Sequence, residues 1–158
     1  MTDPSMPLLY VDTNPFIYFI QGDDSVAAPV KELFGVFKKR PGLAVTSELT
    51  LAEILPKAEG PLRRACLDLI VWSGAFDLRP VTREILIETA DYRRASAAES
   101  DDGRKSMVKL PDAIHVVTAI RSGCRRILSN DAKLRLPAGY QRVAPDGVSI
   151  SALVQELQ

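Results

Sequence analysis

The chain has 158 residues, of which 46% are hydrophobic and 25% are charged, values typical of one globular domain. Twenty basic residues balance twenty acidic ones, so the composition excludes a polycation of the histone type. The charges are unevenly distributed, because residues 1–60 contain five basic and eight acidic side chains, whereas residues 61–145 contain 15 and 10. We therefore expect an acidic site beside a basic surface.

Cysteine and histidine usage limits the classes of site. Cys66 and Cys124 are far apart in a sequence without a signal-peptide pattern, so we expect buried thiols in a reducing compartment. His115 is the only histidine and no paired-cysteine motif occurs, which argues against zinc. No apolar run reaches the ~18–20 residues that cross a bilayer. We expect a cytoplasmic protein with no membrane partner.

Short apolar runs alternate with segments of helical periodicity along the chain. The predicted strands are 8–11, 43–46, 76–81, 126–129 and 141–143. The predicted helices are 26–37 with Ser25 as N-cap, 47–58, 62–70, 82–98, 111–122 and 151–157. This alternation predicts a single α/β domain over 1–158, with a core of about 8–145 followed by the terminal helix. The expected architecture has three α/β/α layers around a mostly parallel sheet of about five strands. Helical spacing also predicts that Phe34, Phe37 and Trp72 belong to the core.

Four carboxylates occur where predicted elements meet. Asp12 and Asp131 follow strands, Glu53 lies about one turn into the helix after the second strand, and Asp112 opens a helix. Each has a local explanation: turn hydrogen bonding for the two strand-end aspartates, a capping box from Thr50 to Glu53, and the helix dipole for Asp112. Parallel sheets nevertheless bring strand ends and helix starts to one edge, where ligands bind.

Converging carboxylates would repel one another unless a cation neutralised them. Oxygen ligands without thiolates favour Mg²⁺, with Mn²⁺ as the alternative, over zinc. Such a cation suits phosphodiester hydrolysis, because it lowers the pKa of a water, orients the phosphate and neutralises developing charge.

The segments LLYVDTN, VTSELTLAEIL, LPDAIHVVTAI and ILSNDAKL, in this order, resemble the PIN domain family, particularly the bacterial VapC-type toxins. The resemblance covers residues 8 to about 136. It implies that four acids bind one or two divalent cations and cleave RNA with a metal-activated water. These catalytic and metal-binding residues are Asp12, Glu53, Asp112 and Asp131. Glu48 is the rival for the second acid, but Glu53 follows the Thr-Leu-Ala segment as in the family. The expected supporting residues are Thr13, Ser129 and Asn130.

Basic residues near the third acid are candidates for RNA contacts. They are Lys109, Arg104, Lys105 and Arg93, and Lys109 is the strongest because it lies just before Asp112. His115 is three residues after Asp112 and can share its side of the helix. A lone histidine favours a structural or partner-contacting role over a general base.

The resulting prediction is a Mg²⁺-dependent endoribonuclease, the toxin of a type II toxin–antitoxin pair. The expected partners are RNA, a second copy in a homodimer through helices 26–37 and 62–70, and a small cognate antitoxin. The antitoxin would place an Arg or Lys among the acids and dock against 26–37 and 49–58. The alternative is a PIN-like module that binds RNA or protein without cutting it. A dehalogenase-like phosphatase is disfavoured because Asp12-Thr13-Asn14 lacks a second aspartate.

Overall fold

The computed structural model describes residues 9–98 and 106–158. The strands in this part of the chain are β1 (Leu9–Val11), β2 (Ala44–Ser47), β3 (Asp77–Arg79), β4 (Arg126–Leu128) and β5 (Gln141–Val143). The helices are α1 (Thr13–Gln21), α2 (Asp24–Lys39), α3 (Leu49–Ile54), α4 (Gly60–Leu67), α5 (Arg83–Ala98), α6 (Leu110–Arg121) and α7 (Gly147–Leu157). A 3₁₀ turn at Leu55–Lys57 extends α3, and a π-helical turn at Asp68–Trp72 extends α4.

The five strands form one parallel sheet in the order β3-β2-β1-β4-β5. Tyr10 of β1 is paired with Val45 on one side and with Ile127 on the other. The chain adds β2 and β3 to one side of β1, and later adds β4 and β5 to the other side. The strand order therefore reverses at the β1–β4 junction, the place where such sheets bind ligands. The predicted three-layer α/β/α class, with about five mostly parallel strands, is confirmed.

Helix starts depend on short polar side chains that differ in part from the prediction. Asp12 caps α1, a full helix where the sequence indicated only a turn or a helix start. Asp23, rather than Ser25, caps α2, because its Oδ1 accepts a hydrogen bond from Ser25 N at 3.0 Å. Asp146 caps α7 in the same way, so this helix begins at Gly147 instead of 151.

The two faces of the sheet bury different side chains, because neighbouring residues of a strand point to opposite sides. Leu9 and Val11 join the larger core cluster, together with residues of α1, α2, α4 and α7. Its centre is a group of packed aromatic rings, Phe16, Phe34, Phe37 and Phe76. On the other face, Tyr10 belongs to a smaller cluster with Val45, Ala119, Cys124 and Ile127.

The prediction that Trp72 belongs to the core is wrong, although Phe34 and Phe37 are buried as expected. Trp72 is 66% exposed because it ends the π-helical turn, whose wider spacing changes which side of the helix each residue faces. The large apolar side chains of α2 pack into the core, and Leu62 of α4 packs against it. The dimer and antitoxin surfaces expected on these helices stay predictions. Both cysteines are buried free thiols, as predicted. Within the described ranges, no helix has the length and apolarity needed to span a membrane.

Candidate active site

Asp12 lies at the carboxyl end of β1, where the strand order reverses. Its backbone N–H donates to the Leu128 carbonyl of β4 at 3.0 Å, which continues the sheet pairing by one residue. Its side chain then turns to cap α1, and Oδ1 accepts from Thr13 N at 2.7 Å. Oδ2 accepts from the Ser129 hydroxyl at 2.8 Å. One donor on each oxygen fixes the Asp12 carboxylate at the β1–β4 junction.

Ser129 connects this carboxylate to Asp131. The buried Ser129 hydroxyl donates to Asp12 and accepts a hydrogen bond from Asp131 N at 3.2 Å. Arg142 donates to the Ser129 carbonyl at 2.8 Å, which holds the turn from the opposite side. Asn130, which was predicted as a supporting residue, lies between Ser129 and Asp131 and is exposed. The local geometry therefore brings Ser129, rather than Asn130, into contact with Asp12.

Glu53 reaches the same region from α3. Its Oε1 accepts from the Thr13 hydroxyl at 2.8 Å and lies 2.7 Å from His115 Nε2. Burial acts to raise the pKa of Glu53, but the contacts with His115 and Thr13 outweigh burial and leave this pKa below its usual value. The rival Glu48 is exposed at the start of α3.

The capping-box interpretation of Thr50 and Glu53 is wrong. The buried Thr50 hydroxyl lies 3.0 Å from the Thr46 hydroxyl. The N-cap of α3 is Glu48, whose side chain makes no capping hydrogen bond, and the hydroxyl of the preceding Ser47 accepts from Leu49 N at 3.1 Å. Glu53 is thus free to turn towards Thr13.

His115 lies between the first two acids. Its side chain is only 3% exposed, and Nε2 lies 3.1 Å from Thr13 Oγ1 and 3.5 Å from Asp12 Oδ1. On the other side of the ring, Nδ1 lies 2.6 Å from the Tyr10 hydroxyl. The sequence did not lead us to predict that Tyr10 contacts the site. Its position in a strand predicted to be buried was the available signal, since a buried hydroxyl requires a hydrogen-bond partner.

Asp112 opens α6 and is half-buried. Burial raises its pKa, and the negative charges of Asp12 and Asp131 raise it further. Glu53 adds to this effect, whereas His115 opposes it. The four predicted acids are therefore close enough for their charges to interact.

A hard divalent cation fits the chemistry of this donor set. Carboxylate oxygens are the ligands that Mg²⁺ prefers, and a cation would relieve the repulsion that raises the Asp112 pKa. In the arrangement seen here, no three acidic, histidine or cysteine side chains among the described residues form a group that could hold a metal ion. The carboxylates lie in one region without forming a closed coordination shell.

The candidate RNA contacts have different surroundings. Lys109 is exposed immediately before α6. Arg93 is half-buried, and its Nε donates to the Val108 carbonyl at 2.9 Å, which ties α5 to the segment before α6. Arg104 and Lys105 lie outside the described residues.

The model of the PIN domain family matches residues 9–139, a range that includes all four acids and His115. The chain belongs to the PIN domain family. No curated protein sequence matches it. This family assignment agrees with the resemblance carried by the motifs around Asp12, Glu53, Asp112 and Asp131.

Solved PIN structures share the fold at low sequence identity. VapC20 of Mycobacterium tuberculosis, a sarcin-ricin loop cleaving toxin, is 16% identical with a TM-score of 0.59, and the match covers 80% of this chain and 92% of that one. VapBC2 of Rickettsia felis, bound to a promoter DNA fragment, is 14% identical with a TM-score of 0.62, covering 87% and 98%. A toxin–antitoxin complex from Klebsiella pneumoniae is 20% identical with a TM-score of 0.58, covering 87% and 97%.

Proposed function

We propose that this PIN domain is a metal-dependent endoribonuclease whose active site contains Asp12, Glu53, Asp112 and Asp131. The observation that carries this proposal is the electrostatic interaction of the other three acids with Asp112, beyond the carboxyl ends of β1 and β4. Carboxylates kept close together at such a cost in free energy suit a site that binds a cation. The similarity in fold to a toxin that cleaves the sarcin-ricin loop supports RNA as the substrate.

Asp12, Asp112 and Glu53 would hold Mg²⁺ or Mn²⁺, and Asp131 would complete the site directly or through water. When bound, the cation lowers the pKa of a water, orients the scissile phosphate and neutralises developing negative charge. Thr13 and Ser129 keep Glu53 and Asp12 in place through their hydroxyl groups. Lys109, exposed beside Asp112, is positioned to contact an RNA phosphate.

The direct test is cleavage of a structured RNA by purified protein that has been freed of any partner. We expect cutting with Mg²⁺ or Mn²⁺ that stops with EDTA, and no cutting by Asp112→Asn. Asp91→Asn, which changes an exposed aspartate of α5, is the matched control and should cut like the wild type. Undiminished cutting by Asp112→Asn in a preparation free of contaminating nuclease would overturn the proposal. Metal-independent RNA binding without cleavage would favour the binding-module alternative.

We further propose that the chain is the cytoplasmic toxin of a type II toxin–antitoxin pair. The fold similarity to the Rickettsia felis and Klebsiella pneumoniae complexes supports an antitoxin partner. Its basic residue would enter the acidic site, because a guanidinium pairs with carboxylates in two-point geometry and keeps its charge. The apolar part of the partner would contact the half-buried Leu51 and Leu55 near the end of α3, since the large side chains of α2 are buried.

Competition between this basic residue and the metal tests the partner model. Raising Mg²⁺ should weaken inhibition, and replacing the basic residue by Ala should restore cleavage while the partner remains bound. Inhibition that responds to neither change would contradict the model.

The homodimer stays a prediction. Sedimentation at micromolar concentration tests it by looking for a species near twice 17.3 kDa.

A further inference from the structure

Both ring nitrogens of His115 have a partner, and the two partners lie on opposite sides of the ring. The Tyr10 hydroxyl lies 2.6 Å from Nδ1, and Glu53 Oε1 lies 2.7 Å from Nε2. Tyr10 is fully buried and His115 is nearly so, whereas Glu53 is partly open to solvent. These contacts form a continuous chain of hydrogen bonds from the centre of the sheet to an acid of the active site.

The direction of the proton in each bond follows from what the partners can do. A tyrosine hydroxyl, whose ordinary pKa is about 10, keeps its proton at neutral pH. A buried hydroxyl must donate to an acceptor, and His115 Nδ1 is within hydrogen-bond distance. The ring proton then resides on Nε2, which faces the Glu53 carboxylate, an acceptor.

We propose that Tyr10 and His115 are positioning residues: the Tyr10 hydroxyl orients the His115 ring by donating to Nδ1, and His115 holds the Glu53 carboxylate in the active site through Nε2–H. The inference rests on the proposed function in one respect, that Glu53 is a metal ligand. Both described donors to this carboxylate, Thr13 and His115, contact Oε1. Oε2 is therefore the oxygen oriented for a cation, in the way that second-shell hydrogen bonds orient metal ligands.

The same geometry argues against His115 as the general base. A base needs an unprotonated nitrogen that can reach the attacking water. Nδ1 is occupied by Tyr10, while Nε2 carries the proton and faces Glu53 from a side chain that is only 3% exposed.

The tautomer can be measured directly because the chain has a single histidine. Two-bond ¹H–¹⁵N correlation spectra of the metal-free protein at neutral pH should show a protonated Nε2 and an unprotonated Nδ1. Tyr10→Phe removes the hydrogen-bond donor to Nδ1, so the Nδ1 ¹⁵N resonance should shift, whereas Nε2, which still faces Glu53, should keep its proton. A wild-type Nδ1–H tautomer, or an Nδ1 resonance that Tyr10→Phe leaves unchanged, would overturn the proposal. This readout does not depend on metal or RNA, so it decides the hydrogen-bond chain even if the proposed function fails.

Mn²⁺ affinity, measured by titration calorimetry, tests the effect on the site. We expect binding to weaken about 10- to 100-fold in His115→Leu and by a smaller factor, about 10-fold, in Tyr10→Phe. His115→Gln, whose amide can donate to Glu53, should recover part of the affinity. Thr89→Val is the control, because it removes another buried hydroxyl, one that donates to the Ile85 carbonyl within α5.

The outcomes of this titration separate positioning from general stability. An affinity loss in Tyr10→Phe and His115→Leu, with wild-type affinity in Thr89→Val, supports the proposal. Equal losses in Thr89→Val and Tyr10→Phe, or wild-type affinity in His115→Leu, would overturn it. A wild type that binds no Mn²⁺ and cuts no RNA would instead contradict the proposed function.

Discussion

On one face of the sheet, β1 contributes Leu9 and Val11 to a cluster that contains four packed phenylalanines. On the other face, Tyr10 belongs to a smaller apolar cluster and hydrogen-bonds to a histidine that contacts an acid. The first face is stabilised by burying apolar surface. The second face contains polar groups, and their arrangement matters for the proposed site more than for stability. The alternation of side chains along the three-residue strand β1 thus separates the core from the residues that support the proposed active site.

The largest predicted effect is on the aromatic face. Phe34 is 1% exposed and contacts four other phenylalanine rings, so Phe34→Ala should lower the free energy of unfolding by about 3–5 kcal/mol. Urea unfolding measures this change. The folded variant should keep wild-type affinity for Mn²⁺, because the Phe34 ring packs in the larger core cluster and Tyr10 belongs to the cluster on the other face of the sheet. Loss of Mn²⁺ binding in the folded variant would show that the two faces are not separate.

Cys124 tests the polar face at alkaline pH. Burial raises the pKa of its thiol to about 12, so the folded state retains a proton that the unfolded state releases above about pH 9. The thiol's contribution to stability is complete below that pH and is lost towards pH 12. The wild type should therefore lose about 1.4 kcal/mol per pH unit relative to Cys124→Ala over this range. Parallel pH profiles of the two proteins would contradict the assignment.

Ser129 gives a smaller effect on stability. Ser129→Ala removes the hydroxyl that joins Asp12 to the Asp131 backbone, and it should cost about 1 kcal/mol. We expect RNA cleavage to fall about 10- to 100-fold, because Asp12 loses a fixed orientation.

Ser73 provides a matched control, because its hydroxyl also donates to an oxygen and accepts from the backbone two residues later. Because Ser73 is exposed and Ser129 is buried, Ser73→Ala should lose less stability, and it should retain cleavage. Equal RNA cleavage by the two serine variants would contradict a role of Ser129 in the proposed site.

Periodicity and turn residues predict this fold well, because its strands and most helices are local patterns of burial. The predictions that were wrong concern positions where a local contact or an irregular turn overrides the sequence pattern. Asp23 caps α2 two residues earlier than Ser25 would, and Trp72, at the end of a π-helical turn, is exposed to solvent. The four acids could be named from their positions at element junctions and from the family resemblance. The hydrogen bond between Tyr10 and His115 could not be predicted in this way, since it joins residues 105 positions apart and depends on how α6 packs against β1.

The carboxylates around Asp112 repel one another, and we propose that a cation relieves this repulsion. Thermal unfolding of the wild type and Asp112→Asn, each with and without Mn²⁺, tests this proposal most directly. The raised pKa of Asp112 means that its charged form opposes folding at neutral pH. Metal-free Asp112→Asn should therefore unfold at the same temperature as the wild type or at a higher one. Mn²⁺ should raise the midpoint of the wild type, but not that of the variant. A variant that is less stable without metal, or that Mn²⁺ stabilises as strongly as the wild type, would contradict the account.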